Sequence, residues 1–89
     1  MTAWRVAWTA SGSRSLSLLP EKVATAAIEF AYGPLIANSR RVGKPLRFEL
    51  EGLHVARRGD YRLIYEIDED AQLVVVHVIE HRASVYGRW

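Results

Sequence analysis

No cysteine occurs among the 89 residues. A disulfide framework and any cysteine-based metal site are therefore excluded, and the absence fits a reducing cytosol. No uninterrupted apolar run approaches the ~20 residues that a helix needs to cross a bilayer. The N-terminus, Met1-Thr2-Ala3-Trp4-Arg5, opens directly into a strand-like pattern and carries no signal-peptide features. Internal repeats and low-complexity segments are also missing. From residue 63 to residue 80 there is no lysine or arginine, against five acids. Together these absences predict one cytoplasmic domain over residues 1–89, with no membrane partner.

Hydrophobic residues make up 49% of the chain, enough for one small core at this length. The net charge is +2 and the pI is about 9.3, a mildly basic balance. Its distribution says more. Residues 40–62 hold seven cations (Arg40, Arg41, Lys44, Arg47, Arg57, Arg58 and Arg62) against three acids. Ten of the twelve cations in the chain are arginine, whose planar fork suits bidentate phosphate contacts. Such a surface is either simply solvated or faces nucleic acid.

The segment Arg57-Arg58-Gly59-Asp60-Tyr61-Arg62-Leu63-Ile64-Tyr65-Glu66-Ile67-Asp68 organises the rest. It reads as a tight turn followed by a strand. Tyr61, Leu63, Tyr65 and Ile67 form one apolar face, and Arg62, Ile64 and Glu66 the other. Arginine is rarely buried without a partner, so the face of Arg62 is wet, paired with an anion, or a binding surface.

Upstream, residues 4–8 alternate as a first strand. Thr9 can cap a helix over residues 10–19, whose many serines give it poor propensity. Pro20 and Glu21 suit the start of a second helix over residues 20–32, ended by Gly33-Pro34. The short connection predicts an antiparallel helical hairpin. Residues 34–44 read as a basic connector with one helical turn at Pro34-Leu35-Ile36-Ala37, and 46–50 as a short strand. Residues 53–58 read as a strand leading through Gly59-Asp60 into the next, and 72–80 as the last. The predicted class is α+β: an N-terminal strand, two helices, then three or four antiparallel strands in one twisted sheet with the helices on one face.

A two-residue loop at Gly59-Asp60 sets Arg57 opposite Arg62. A loop at residues 68–71 sets Ile67 opposite Gln72, and hence Arg62 opposite His77. In that register Val74, Val76 and Val78 join the apolar helix face. Arg57, Arg62, His77 and His81 share the other, with Leu53, Val55, Leu73, Val75 and Ile79. Two adjacent arginines repel unless an anion lies between them, and a phosphate satisfies both. The competing structural reading pairs Arg57 with Glu51 or Glu66, pairs Arg62 with Glu66, and leaves both histidines packed.

Several segments together resemble the RelE toxins of bacterial type II toxin–antitoxin systems. They are Val42-Gly43-Lys44-Pro45-Leu46-Arg47, Leu50-Glu51-Gly52-Leu53, Ala56 through Asp68, and His81-Arg82-Ala83-Ser84-Val85-Tyr86. Leu19-Pro20-Glu21-Lys22-Val23 is similar as well. The resemblance covers essentially the whole chain, though the related ParE branch shares the fold. It implies an mRNA endonuclease, active without metal or other cofactor, that cuts codons in the ribosomal A site. It implies partners in the ribosome, its mRNA and a cognate antitoxin, joined in a heterodimer or heterotetramer, and contact with operator DNA only through the antitoxin. The implied chemistry is attack of the 2′-hydroxyl on the adjacent phosphate. That requires activation of the 2′-oxygen, stabilisation of added charge and protonation of the 5′-oxygen.

Residue by residue, Arg62 matches the family's mid-strand phosphate arginine, Arg82 its second arginine, and Tyr86 its C-terminal tyrosine. Leu53 and Val55 stand where active relatives carry lysine, which leaves the general base open. His81 is the substitute candidate, because imidazole transfers protons near neutral pH. Arg57 and Arg58, with Lys44, Arg47, Arg40 and Arg41, are candidates for phosphate or ribosomal RNA contact. Two rival functions keep the fold. One is a ParE-like inhibitor of DNA gyrase, which needs no acid–base set. The other is a catalytically weak toxin acting mainly as an antitoxin-binding, operon co-repressing module.

Overall fold

In the computed structural model, which describes residues 4–81, the extended segments form one five-stranded sheet. The strands are β1 (Arg5–Trp8), β2 (Lys44–Pro45), β3 (Leu53–Arg58), β4 (Tyr61–Asp68) and β5 (Leu73–His81). The helices are α1 (Ala10–Ser17) and α2 (Glu21–Phe30). The strand order is β1-β5-β4-β3-β2. Strands β2 to β5 pair antiparallel, as expected, while β1 lies parallel to β5. The α+β class holds, with a mixed sheet.

Helix α1 is seated by hydroxyl groups and not by its weak propensity. The Thr9 hydroxyl accepts a hydrogen bond from the Gly12 amide at 2.9 Å, as an N-cap should. The same hydroxyl lies 3.3 Å from the Val76 carbonyl and 3.2 Å from that of His77, so the cap also ties α1 to β5. Strand β1 covers β5 only as far as Val76, opposite Trp8. Beyond it, the Ile79 amide donates to the Ser15 hydroxyl at 2.9 Å. Gly12 is buried against this strand. A methyl group there would stand 2.4 Å from the Val76 carbonyl oxygen, so no side chain fits.

Two expectations along the connector are corrected. Gly33-Pro34 does not end the second helix. The chain widens into a π turn over Ala31–Leu35 and stays helical through residue 37. Pro34 lacks an N–H and would clash with the carbonyl four residues back in a regular α-helix; the wider turn accommodates it. The turn is retained because Ala31 and Leu35 are both fully buried. Residues 46–50 are not a strand. The ladder with β3 ends where the Leu46 amide donates to the Leu53 carbonyl at 2.8 Å, and a 3-10 turn follows at Phe48–Leu50. Phe48 has φ +61° and its side chain is 90% exposed, so its type does not explain the local backbone.

The β3–β4 hairpin has the expected register, with Arg58 opposite Tyr61 and Arg57 opposite Arg62. Gly59, at φ +55°, makes the turn. The β4–β5 pair differs. Asp68 faces Leu73, so Ile67 faces Val74 and not the expected Gln72, and a β-bulge follows between Ile64 and Tyr65. Tyr65 pairs with Val76 and Ile64 with Val78, leaving His77 as the extra residue. One added residue reverses the faces of everything after it. Ile79 thus enters the core at 3% exposure, and Val78 takes the opposite face.

The core lies between the helices and one side of the sheet. Ala56, Leu63, Tyr65, Val74, Val76 and Ile79 meet Leu19, Ala27, Phe30, Ala31 and Leu35. Each large side chain so buried contributes about 1.5–3 kcal/mol. Tyr65 is wholly buried, and its hydroxyl donates to the Ser39 carbonyl at 2.5 Å. Burial pushes its phenol up to about 12. Among the described residues, no helix is long and apolar enough to cross a membrane.

Candidate functional site

The face without helices is set by the alternate residues of β3, β4 and β5. Its rungs, read across the sheet, are Leu53–Glu66–Val75, Val55–Ile64–Val78 and Arg57–Arg62–Glu80. Lys44 on β2 faces Val55 and extends the second rung. Apolar side chains thus floor the middle, and charged ones close the end nearest the Gly59 turn.

Arg62 is the centre of this face, though its neighbour is not the expected one. Arg62 lies opposite Glu80 and not His77, because the pairing begins two residues further along β5 than expected and the bulge adds a third. Its Nε donates to Glu80 Oε1 at 2.5 Å. The pair is not sealed: the Arg62 side chain is 34% exposed and that of Glu80 is 19%. Arg57, on the other side of Arg62, is exposed. The alternative pairing of Arg62 with Glu66 is not formed. Glu66 instead meets His77, whose Nε2 is 3.0 Å from Oε1.

Arg57 also lines a groove of about 480 Å³ with Arg41, Val42, Gly43, Lys44 and Val55. The ion pairs among the described residues are Arg40–Glu69, Arg62–Glu80 and His77–Glu66. Arg41, Lys44 and Arg57 belong to none of them. Three exposed cations around a partly apolar groove, beside a fourth on the sheet, make a receptor for an anion flanked by flat apolar groups. Gly43 permits the close fit of this edge. A Cβ there would meet the Tyr65 hydroxyl at 2.3 Å and the Val55 carbonyl at 2.7 Å.

Other sequence candidates are placed elsewhere. His81 pairs with Tyr61, which puts it on the helix side of the sheet and off the face of Arg62. The expectation that it shares that face is corrected by the same bulge. Arg58 also lies on the helix side, its guanidinium 4.6 Å above the Phe30 ring, where it covers the core. Arg40 forms its ion pair with Glu69 at the surface. A larger hollow of about 620 Å³ lies there, lined by Trp4, Tyr32, Ile36 and Arg41 among others. Because Glu69 offsets Arg40, that hollow is the poorer anion receptor. Arg47 is exposed, just before the 3-10 turn and outside the groove. Arg82 and Tyr86 lie outside the described residues.

Sequence reasoning passed over Glu80, treating it as one acid among five. The only available signal was its place near the end of a strand whose register contains an unpredictable bulge. Half-buried His54, on the helix side, stacks on Tyr65 with ring centroids 5.5 Å apart. Burial, and secondarily the Arg40 charge, lowers its pKa below the ordinary 6.5. Among the described residues, no group of three or more His, Asp or Glu side chains converges to hold a metal.

Comparison with known proteins agrees with this geometry. The family model of the ParE toxin of the type II toxin–antitoxin system, parDE, matches residues 16–86. Toxin RelE of Mycobacterium tuberculosis (strain ATCC 25618 / H37Rv) is 52% identical over 82 residues, covering 91% of this chain and 84% of that protein. Toxin RelG of the same strain is 46% identical over 85 residues, covering 96% and 98%. The crystal structure of the M. tuberculosis toxin–antitoxin complex RelBE2 contains a chain that superposes with a TM-score of 0.87 at 44% identity, over 91% of this chain and 100% of that one. With the helix pair, the sheet order and these matches in agreement, this chain belongs to the RelE family of toxins of type II toxin–antitoxin systems.

Proposed function

We propose that this toxin is a ribosome-dependent endoribonuclease that cuts mRNA in the A site by attack of a ribose 2′-hydroxyl on the adjacent phosphate. The observation that carries the proposal is the rung Arg57–Arg62 beside the groove of Arg41 and Lys44 on the face free of helices. Arg62 and Arg57 contact the scissile phosphate and offset the charge that builds on it in the transition state. Arg41 and Lys44 hold the neighbouring phosphates, and Arg40, Arg47 and Arg58 lie further out for contact with ribosomal RNA. Arg82 and Tyr86 complete the site in this reading. The products are a 2′,3′-cyclic phosphate and a 5′-hydroxyl. DNA lacks the attacking group and is not cut.

A cognate antitoxin neutralises the toxin by covering this face, and through it the pair reaches operator DNA. The solved RelBE2 relative, a toxin–antitoxin complex, supports that partner. Expression of Arg62→Ala and wild type, with primer extension on ribosome-bound mRNA, tests the proposal. Loss of both growth arrest and A-site cuts in the variant is expected; unchanged cutting rejects it.

The ParE description of the matching family model favours a second reading, inhibition of DNA gyrase. That activity needs no acid–base group, so it predicts altered plasmid topology and no cut in any mRNA.

A further inference from the structure

We propose that Glu80 is the general base of this site, taking the proton from the attacking 2′-hydroxyl. The inference rests on the RNA-cleaving reading above and adds to it the identity of one catalytic group.

Three placements carry it. The bulge at His77 turns Glu80 onto the face of Arg57 and Arg62 and turns His81 away from it. Within the rung Arg57–Arg62–Glu80, guanidinium groups cannot give up a proton to become acceptors, whereas a carboxylate is an acceptor on both oxygens. Among the described residues of the strands, the other titratable groups on this face stand further along it. His77 and Glu66 hold each other at 3.0 Å towards the opposite end of β4, and Lys44 lies a rung away beside Val55.

The carboxylate is also oriented. Oε1 receives the Arg62 Nε–H at 2.5 Å, which fixes the plane of the group and leaves Oε2 as the second acceptor. At 19% exposure the side chain is shielded from most solvent but not sealed. A phosphate drawn to Arg62 therefore brings its ribose beside a fixed oxygen. Proximity of this kind is what makes a weak base effective.

The 2′-hydroxyl proton passes to Glu80 Oε2 as the 2′-oxygen bonds to phosphorus. The P–O5′ bond breaks, and the 5′-oxygen leaves with the electron pair and takes a proton from water. Glu80 then returns its proton to solvent, so the carboxylate is regenerated. Arg57 and Arg62 face the equatorial phosphate oxygens throughout.

Single-turnover cleavage of mRNA on programmed ribosomes tests this assignment, using the full chain and the variants Glu80→Gln, Glu80→Asp, Glu80→Ala and Arg62→Ala. Glu80→Gln keeps an oxygen for Arg62 but cannot accept the proton. It is expected to cut about 100-fold more slowly, at the low end for general-base loss. Wild type is expected to slow on acidification and Glu80→Gln not to, and the variant is expected to keep a wild-type melting temperature. Glu80→Asp retains more activity than Glu80→Gln, and formate partly restores Glu80→Ala. Glu80→Gln within threefold of wild type, with Arg62→Ala inactive, overturns this assignment and leaves the RNA-cleaving reading standing. A slow Glu80→Gln with an unchanged pH profile and no formate rescue of Glu80→Ala also overturns it, because Glu80 then only positions Arg62. Full activity in Arg62→Ala rejects the underlying reading itself. Should Glu80→Gln unfold, the Glu80→Asp rate and the formate response decide in its place.

Discussion

Arg62 and Leu63 are neighbours in the chain and lie on opposite faces of the same strand. Leu63 is wholly buried and serves only the fold. Arg62 is one-third exposed, is held by Glu80, and stands beside exposed Arg57. Under the helices, the opposite face buries Ala56, Leu63, Tyr65, Val74, Val76 and Ile79 away from water. The open face keeps like charges close together, an arrangement that folding alone does not favour. In the proposed reading, Glu80 offsets part of that repulsion and the RNA phosphate offsets the rest. Under the proposed function, stability and activity part company at a single peptide bond on β4.

Breaking that contrast is most direct at Arg62. Arg62→Ala should lower the cleavage rate by about 10²–10³-fold, the scale for losing one charge-stabilising donor. Its urea midpoint should stay near that of wild type. Leu63→Ala should do the reverse, costing about 2–5 kcal/mol in equilibrium unfolding through the cavity it leaves. Whatever activity survives in that variant should track its folded fraction.

Gly12→Ala probes how α1 is docked on the stable side. A methyl group against the Val76 carbonyl forces the helix off β5, and a loss of about 1–3 kcal/mol is expected in the same assay. Tyr65→Phe removes one buried hydrogen bond, to Ser39, and should cost about 1 kcal/mol. Cleavage by that variant should be unaffected at temperatures where it is folded.

The smallest effect is a pH dependence on the helix side. His54 is a weaker base in the folded chain than its ordinary 6.5, because it is buried and near Arg40. Above pH 6.5 both states hold it neutral and its contribution is complete. As pH falls below 6.5, the unfolded chain takes the proton first and stability declines. His54→Phe should flatten the slope of the urea midpoint against pH in that window, while keeping the stack on Tyr65. An unchanged slope would assign the acid sensitivity to other groups.

Most of the fold could be read from local chemistry. Thr9 was identifiable as a cap because a hydroxyl before a helix satisfies an orphan amide. Gly59 was identifiable as a turn residue because the hairpin needs positive φ there. The β3–β4 register followed from that turn. The limits were equally physical. Pro34 is a helix breaker by local rules, and only the burial of Ala31 and Leu35 keeps the chain helical around it. In the candidate site, Arg57 beside Arg62 was legible. Glu80 beside Arg62 was not, nor was the loss of His81 from that face.

Contacts among residues near one another along the chain settle the class of the fold, the alternation of β3 and β4, and the concentration of arginine beside the Gly59 turn. All three are therefore written in the amino-acid order. The slip in β5 is not. Its run Leu73-Val74-Val75-Val76-His77-Val78-Ile79 is apolar at both parities, so either face can be buried and the pattern carries no register. Packing of Ile79 into the core and the grip of Ser15 on its amide choose the bulge. That choice, made on the helix side, delivers a carboxylate to Arg62 on the other.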